Sequence, residues 1–112
     1  MKVFALKNCD TCRKAIKEMK AAGLEFDVID VRDDGLETED IAKIVGDVGF
    51  EKALNRRSTT WRALDEPTRN GLDNVKAVTM IKDFPTLLNR PAITDGETTT
   101  VGWNQAAKDA WL

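Results

Sequence analysis

Residues 2–31 read as strand, helix, strand, and no other feature of the chain restricts its fold as much. Lys2-Val3-Phe4-Ala5-Leu6 is a short apolar run with the length of a buried strand. Cys12, Ala15, Ile16, Met19 and Ala22 then recur at helical spacing on one face, and Gly23 is a natural stop. Glu25-Phe26-Asp27-Val28-Ile29-Asp30-Val31 follows as a second strand, ended by the turn residues Arg32-Asp33-Asp34-Gly35. Two strands joined by a crossover helix run parallel.

The rest of the chain completes an α/β pattern. Residues 37–88 carry helical spacing and no strand signal. Ile41, Ile44, Val45 and Val48 form one stripe, and Phe50, Ala53 and Leu54 a shorter one before Asn55-Arg56-Arg57-Ser58-Thr59-Thr60. Trp61 and Leu64 mark a short segment, Leu72, Val75, Val78 and Ile81 another helix, and Pro85 opens a last turn with Leu87 and Leu88. Asp95-Gly96 between Pro91-Ala92-Ile93-Thr94 and Glu97-Thr98-Thr99-Thr100-Val101 predicts a hairpin closed by a two-residue type I′ turn. Asn104 caps a final helix containing Ala107 and Trp111. Strand-helix-strand, a helical insertion at about 37–88, then strand-strand-helix is a thioredoxin-like fold. At 112 residues the chain is expected to form a single domain, 1–112. A chain of this size buries roughly two-thirds of its unfolded surface. Trp61 is read as packing, Trp103 as a cap on the sheet, and the threonine run as an exposed strand.

The only cysteines, Cys9 and Cys12, fall where the first strand gives way to the first helix. A Cys-x-x-Cys there puts Cys9 at the helix N-terminus, where unpaired N–H groups and the dipole stabilise a thiolate, the nucleophilic form. Two other readings exist: a pair of buried small hydrophobes, or half a zinc site. Structural zinc takes four Cys or His ligands, and this chain has no histidine, so zinc would need a second chain and no metal is expected. The strand-turn-helix context points to thiol redox chemistry.

The absent histidine excludes more than zinc. No Cys-His dyad, Ser-His-Asp triad or imidazole acid/base can exist, so an activated nucleophile relies on the helix end and on cations. The phosphatase-type anion loop needs arginine six positions after its cysteine, and here Ala15 and Glu18 occupy those places. Lys+Arg 17 against Asp+Glu 19 gives a net charge of -2, which argues against nucleic-acid binding driven by a basic field. No apolar run approaches the roughly 20 residues of a membrane helix and the N-terminus is too short for a signal peptide, so a cytoplasmic protein is expected. In a reducing cytosol a Cys-x-x-Cys disulfide is transient and catalytic, or sensory.

Lys7-Asn8-Cys9-Asp10-Thr11-Cys12-Arg13-Lys14-Ala15, Arg32-x-x-Gly35-Leu36, Leu54-Asn55-x-Arg57-x-Thr59-Thr60-Trp61-Arg62-x-Leu64, and Asn89-Arg90-Pro91 with Val101-Gly102 resemble the arsenate reductase (ArsC) family over nearly the whole chain. The likeness is strongest to its small ArsC-like branch, in which Asn-x-Arg-x-Thr-Thr-Trp-Arg is typical. Neighbouring branches are the glutathione/glutaredoxin-coupled arsenate reductases and the Spx-type redox regulators that bind RNA polymerase. The resemblance implies that Cys9 is the nucleophile, that Arg90 faces it, that Pro91 follows a cis bond, and that Arg57 is the arginine of the middle motif. Asn8, Arg57, Arg90 and Pro91 are thus candidate substrate-binding residues, with Cys9, Cys12 and Arg90 the catalytic set. A cis X-Pro bond fixes a tight backbone approach, and an arginine beside a thiolate favours its charged form and can fork onto an oxyanion. The competing reading of each arginine is a solvated surface position.

The chain departs from the coupled arsenate reductases in two respects. Their third oxyanion arginine lies just past the hairpin turn, where Glu97-Thr98-Thr99-Thr100-Val101-Gly102 offers no cation. They also use one cysteine and an outside thiol, whereas Cys12 can resolve a Cys9 adduct internally. The favoured expectation is an ArsC-like thiol-disulfide oxidoreductase with no tightly bound cofactor. Glutathione would be co-substrate, or a glutaredoxin- or thioredoxin-type protein the partner. The alternatives are a glutaredoxin-coupled arsenate reductase and a redox-switched transcriptional regulator of the Spx type.

Overall fold

The computed structural model describes residues Met1–Leu112. In chain order the elements are β1 (Lys2–Ala5), α1 (Asp10–Ala21), β2 (Asp27–Asp30), α2 (Thr38–Val48), α3 (Phe50–Ala53), α4 (Thr59–Ala63), α5 (Glu66–Arg69), α6 (Asn74–Asp83), β3 (Ala92–Thr94), β4 (Thr99–Val101) and α7 (Gln105–Trp111), with a 3-10 turn at Pro85–Leu87. They fall into two compact units, Met1–Gly35 with Arg90–Leu112, and Leu36–Asn89. No helix is long and apolar enough to cross a membrane.

The first unit is built on a four-stranded sheet of order β2-β1-β3-β4. β1 and β2 are parallel, as their crossover through α1 requires, whereas β1–β3 and β3–β4 are antiparallel. This is the thioredoxin-like α/β fold expected from the element order. Val3, Ala5 and Ile93 project from one face of the sheet and join Cys12 and Met19 of α1 and Trp111 of α7 in one buried cluster. Burying a side chain such as Met19 or Ile93 contributes about 1.5–3 kcal/mol. Asn104 caps α7, its Oδ1 accepting from the Ala107 amide at 2.9 Å. Trp111 Nε1 donates to Thr100 Oγ1 at 2.7 Å and fixes the helix to β4.

The second unit is wholly helical apart from a single bridge between Leu54 and Leu88. Ile41, Ile44 and Val45 of α2 are buried, as are Ala77, Met80 and Ile81 of α6. Three short helices are closed by side-chain caps: Ser58 accepts from the Trp61 amide, Asp65 from Thr68 and Asp73 from Lys76.

Several expectations fail locally. Ala22 lies beyond the end of α1 and is exposed, so the apolar face stops at Met19 and the chain turns at Gly23 with φ +81°. β2 is shorter than residues 25–31, pairing only with Lys2–Ala5 of β1, and Val28 on this edge strand is 46 % exposed. Val75 is 77 % exposed, and α6 buries Ala77 and Met80 beside the expected Ile81. Steps of three residues lag one turn by about 60°, so Val75 and Ile81 lie about 120° apart around the helix. The hairpin pairs Thr94 with Thr99, leaving a four-residue loop, 95–98, in place of the two-residue turn. A type I′ turn needs positive φ at both central residues, and Asp95 does not adopt it, only Gly96 doing so at φ +98°. The Asp95 carboxylate instead accepts the Glu97 and Thr98 amides at 2.9 and 2.7 Å, which holds the longer loop.

Candidate active site

Beyond β1 the chain makes a tight turn through Lys7 and Asn8, closed by a hydrogen bond from the Cys9 amide to the Leu6 carbonyl at 3.2 Å. Cys9 is the N-cap of α1, with extended φ -95° and ψ 112°. Its Sγ accepts the Cys12 amide at 3.3 Å, the bond that a Ser or Asp oxygen makes at an ordinary N-cap. The sulfur there takes up an amide that the helix itself leaves without a partner.

The two cysteines are chemically unequal. Both are free thiols, Cys9 half-buried and Cys12 buried. Burial pushes the Cys12 thiol up to about 12, hydrogen bonding to Cys9 adds to this, and the nearby Arg90 charge pulls the other way. Cys12 packs in the cluster with Val3, Met19 and Ile93, and Cys9 packs against that cluster from its margin.

Arg90 and Pro91 enter the same unit just ahead of β3. The Arg90–Pro91 peptide is cis. Phe4 pairs with Ala92, so Pro91 stands one step further along, beyond the last pair of the ladder toward the end of β1 that leads to Cys9. Pro91 is buried and its carbonyl accepts the Gly102 amide at 3.0 Å. Arg90 is half-buried, and its charge is felt at the Cys12 thiol.

Asn8 is exposed on the turn and, with Leu6, Lys7, Asp30, Arg32 and Asp33, lines a cavity of about 190 Å³. A second cavity of about 310 Å³ lies beside it, bordered by Ala5, Leu6, Lys7, Arg13, Ile16 and Val28. Arg57 belongs to the helical unit and is exposed; its amide donates to Asn55 Oδ1 at 3.1 Å in the turn before α4. The neighbouring Arg56 guanidinium stacks over Trp61, 5.8 Å from the ring centre.

Sequence reasoning overlooked Asp30. It is only 7 % exposed, and its carboxylate accepts backbone amides from Lys7 at 3.1 Å, Arg32 at 2.9 Å and Asp33 at 2.8 Å. Those bonds, that from Asp33 foremost, hold the carboxyl below the usual aspartate range despite its burial. The local signal was an aspartate at a strand end followed by the polar turn Arg32-Asp33-Asp34-Gly35, an arrangement in which the side chain caps the following amides.

Residues 4–110 match the model of the ArsC family. The chain belongs to the ArsC family. A Haemophilus influenzae protein is 37% identical over 103 residues, covering 92% of this chain and 90% of its own length. Global transcriptional regulator Spx 1 of Lactococcus lactis is 27% identical, over 98% of this chain and 87% of its own. Among solved structures, the protein YFFB is 31% identical with a TM-score of 0.91, over 99% of this chain and 97% of its own. An arsenate reductase (ArsC) related protein from Brucella melitensis is 29% identical with a TM-score of 0.74, over 98% and 92% respectively. The ArsC match spans Asn8, Cys9, Cys12, Arg57, Arg90 and Pro91.

Proposed function

We propose that this ArsC-family chain is a thiol-disulfide oxidoreductase in which Cys9 is the nucleophile and Cys12 the resolving thiol. The observation that carries the reading is the Cys9 sulfur at the N-cap of α1, accepting the amide of a buried Cys12 one turn on. Cys9 thiolate attacks one sulfur of a mixed disulfide, a new S–S bond forms, and the other sulfur departs as a thiolate that takes a proton from solvent. Cys12 then loses its proton to solvent and attacks Cys9 Sγ, expelling the second half of the substrate as thiolate. The substrate gains two electrons and the chain is left with a Cys9–Cys12 disulfide. Two glutathione molecules, or one dithiol protein of the glutaredoxin or thioredoxin type, return it to the dithiol by the same exchange.

The electrostatics of the pair support that order. Two of the influences that keep the proton on Cys12, its hydrogen bond to Cys9 and the charge there, end when Cys9 enters a mixed disulfide. Burial, the largest influence, persists, so bonding of Cys9 eases the loss of the Cys12 proton without removing the main barrier to it. In the same reading Arg90 holds the anionic end of glutathione, and Asn8 and Pro91 border the substrate sulfur. A reducing cytoplasm is the compartment in which such a pair cycles.

Two other readings each have one observation behind them. Family membership favours arsenate reduction, with Cys9 attacking arsenic. Similarity to Spx 1 favours a redox-switched regulator whose Cys9–Cys12 disulfide alters a binding surface. Turnover separates the three. Purified protein, offered a glutathionylated peptide or arsenate with glutathione and glutaredoxin, is expected to deglutathionylate the peptide in a Cys9-dependent manner. Turnover of arsenate alone would favour the second reading, and turnover of neither the third.

A further inference from the structure

We propose that Asp30 is a positioning residue for Cys9, tethering the turn that carries the nucleophile to the end of β2. The inference rests on Cys9 being the reactive thiol. Asp30 Oδ1 accepts the Arg32 and Asp33 amides of its own turn, while Oδ2 reaches across 23 positions of sequence to the Lys7 amide, two residues before Cys9. Lys7 Nζ adds an exposed ion pair to Asp33 Oδ2 at 2.8 Å, so the same turn is held from both sides of Lys7. Asp30 is itself oriented from behind, its amide donating to Asp34 Oδ2 at 2.8 Å. The Val31 amide donates to the Ala5 carbonyl at 2.9 Å and extends the β1–β2 pairing up to this tether.

The consequence runs through the N-cap. The dihedrals of Cys9 that aim Sγ at the Cys12 amide are set by a turn of two exposed residues, Lys7 and Asn8. One buried carboxylate fixes where that turn starts. An N-cap sulfur that drifts from the helix end loses the hydrogen bond and dipole that stabilise its anion.

Two changes cut the tether selectively. In Asp30→Asn, the amide oxygen keeps the Arg32 and Asp33 bonds and the NH2 group faces the Lys7 N–H, donor against donor. Replacing the Leu6–Lys7 amide by an ester removes the Lys7 donor and also weakens the Leu6 carbonyl that accepts the Cys9 amide, so the ester is read together with Asp30→Asn, which leaves that carbonyl intact. That chain is accessible by native chemical ligation at Cys9, joining a synthetic segment of residues 1–8 to residues 9–112. Asp34→Asn is the control, since it removes an equal charge from the same patch while its amide oxygen can still accept the Asp30 N–H.

The readout is the rate of iodoacetamide reaction at Cys9 as a function of pH, a stoichiometric measurement that needs no turnover. A chain that reduces no disulfide can still show the tether, and a reductase can lack it. Loss of a negative charge near Cys9 would by itself favour thiolate and speed alkylation, so the sign of the effect separates tether from charge. Asp30→Asn and the ester are expected to slow Cys9 alkylation at pH 7 by about threefold or more, with the profile displaced to higher pH. Asp34→Asn is expected to leave the rate unchanged or raise it. If Asp30→Asn does not fold, Asp30→Glu takes its place, keeping the charge while displacing the carboxylate from the Lys7 amide by one methylene. Profiles that superimpose on wild type in the folded ester chain, or faster alkylation in folded Asp30→Asn, would overturn the assignment.

Discussion

The Cys12 amide donates to Cys9 Sγ across 3.3 Å, so the residue that shields its own thiol in the core also orients the sulfur of its partner. One helical turn thus contains an accessible acceptor sulfur and a buried protonated one. The first expectation is unequal alkylation. At pH 7.5 iodoacetamide should label Cys9 at least about a hundredfold faster than Cys12, because rate follows thiolate fraction and Cys12 is pushed up to about 12. Peptide mapping by mass spectrometry gives the ratio, and in urea the two should react at similar rates. Faster labelling of Cys12 in the folded protein would remove the basis for its role.

The same buried thiol makes stability depend on pH at the alkaline end. Cys12 binds its proton more tightly folded than unfolded, where a thiol titrates near about 8.5. Its contribution is therefore complete below that value and is lost as pH rises toward about 12. Between those limits the loss approaches about 1.4 kcal/mol per pH unit. Urea denaturation of wild type and Cys12→Ala at several alkaline pH values should show the steep decline in wild type alone.

Packing predicts where the sheet is sensitive. Ile93, fully buried and paired with Val3 at the centre, should lose about 2–5 kcal/mol on change to alanine. Val28→Ala on the exposed edge strand should move stability by no more than about 0.5 kcal/mol. Chemical denaturation of both variants tests the contrast.

Arsenate should be a poor substrate. The hairpin places Asp95 and Glu97 at its exposed tip, and the Asp95 carboxyl is held below the usual aspartate range by the Thr98 and Glu97 amides, so the loop carries stable negative charge and no cation. One missing bidentate arginine contact to a bound anion costs about 1.5–3 kcal/mol, roughly tenfold to a hundredfold in affinity. Arsenate reduction with glutathione and glutaredoxin is expected to be slow or absent, and Arg90→Ala to raise KM for a glutathionylated peptide more than Arg90→Lys does. Efficient arsenate turnover at low millimolar substrate would contradict this.

The strand-helix-strand start, the position of Cys9 at the helix entrance and the cis Arg90–Pro91 bond were all legible from residue spacing and family likeness. The first two depend on backbone periodicity and the local chemistry of cysteine, which a single chain displays openly, whereas the cis bond was implied by the family resemblance alone. The hairpin loop was misread because the Asp-Gly rule counts φ preferences, and here the Asp95 side chain outweighs them by capping two amides. Val75 was misread because steps of three residues drift around a helix. Asp30 was missed for a different reason: its bond to Lys7 joins residues far apart in sequence, and no local pattern reports a contact that only the parallel pairing of β1 and β2 creates.

The division of labour between the two cysteines is tested most directly by trapping. Cys12→Ser should react with a glutathionylated peptide and stop as a mixed disulfide at Cys9, seen as an intact-mass increase and located by peptide mapping. Wild type under the same conditions should release both halves of the substrate and carry a Cys9–Cys12 disulfide, and Cys9→Ser should do neither. A stable adduct on Cys12 in the Cys9→Ser chain, or full turnover by Cys12→Ser at the wild-type rate, would contradict the assignment of nucleophile and resolving thiol.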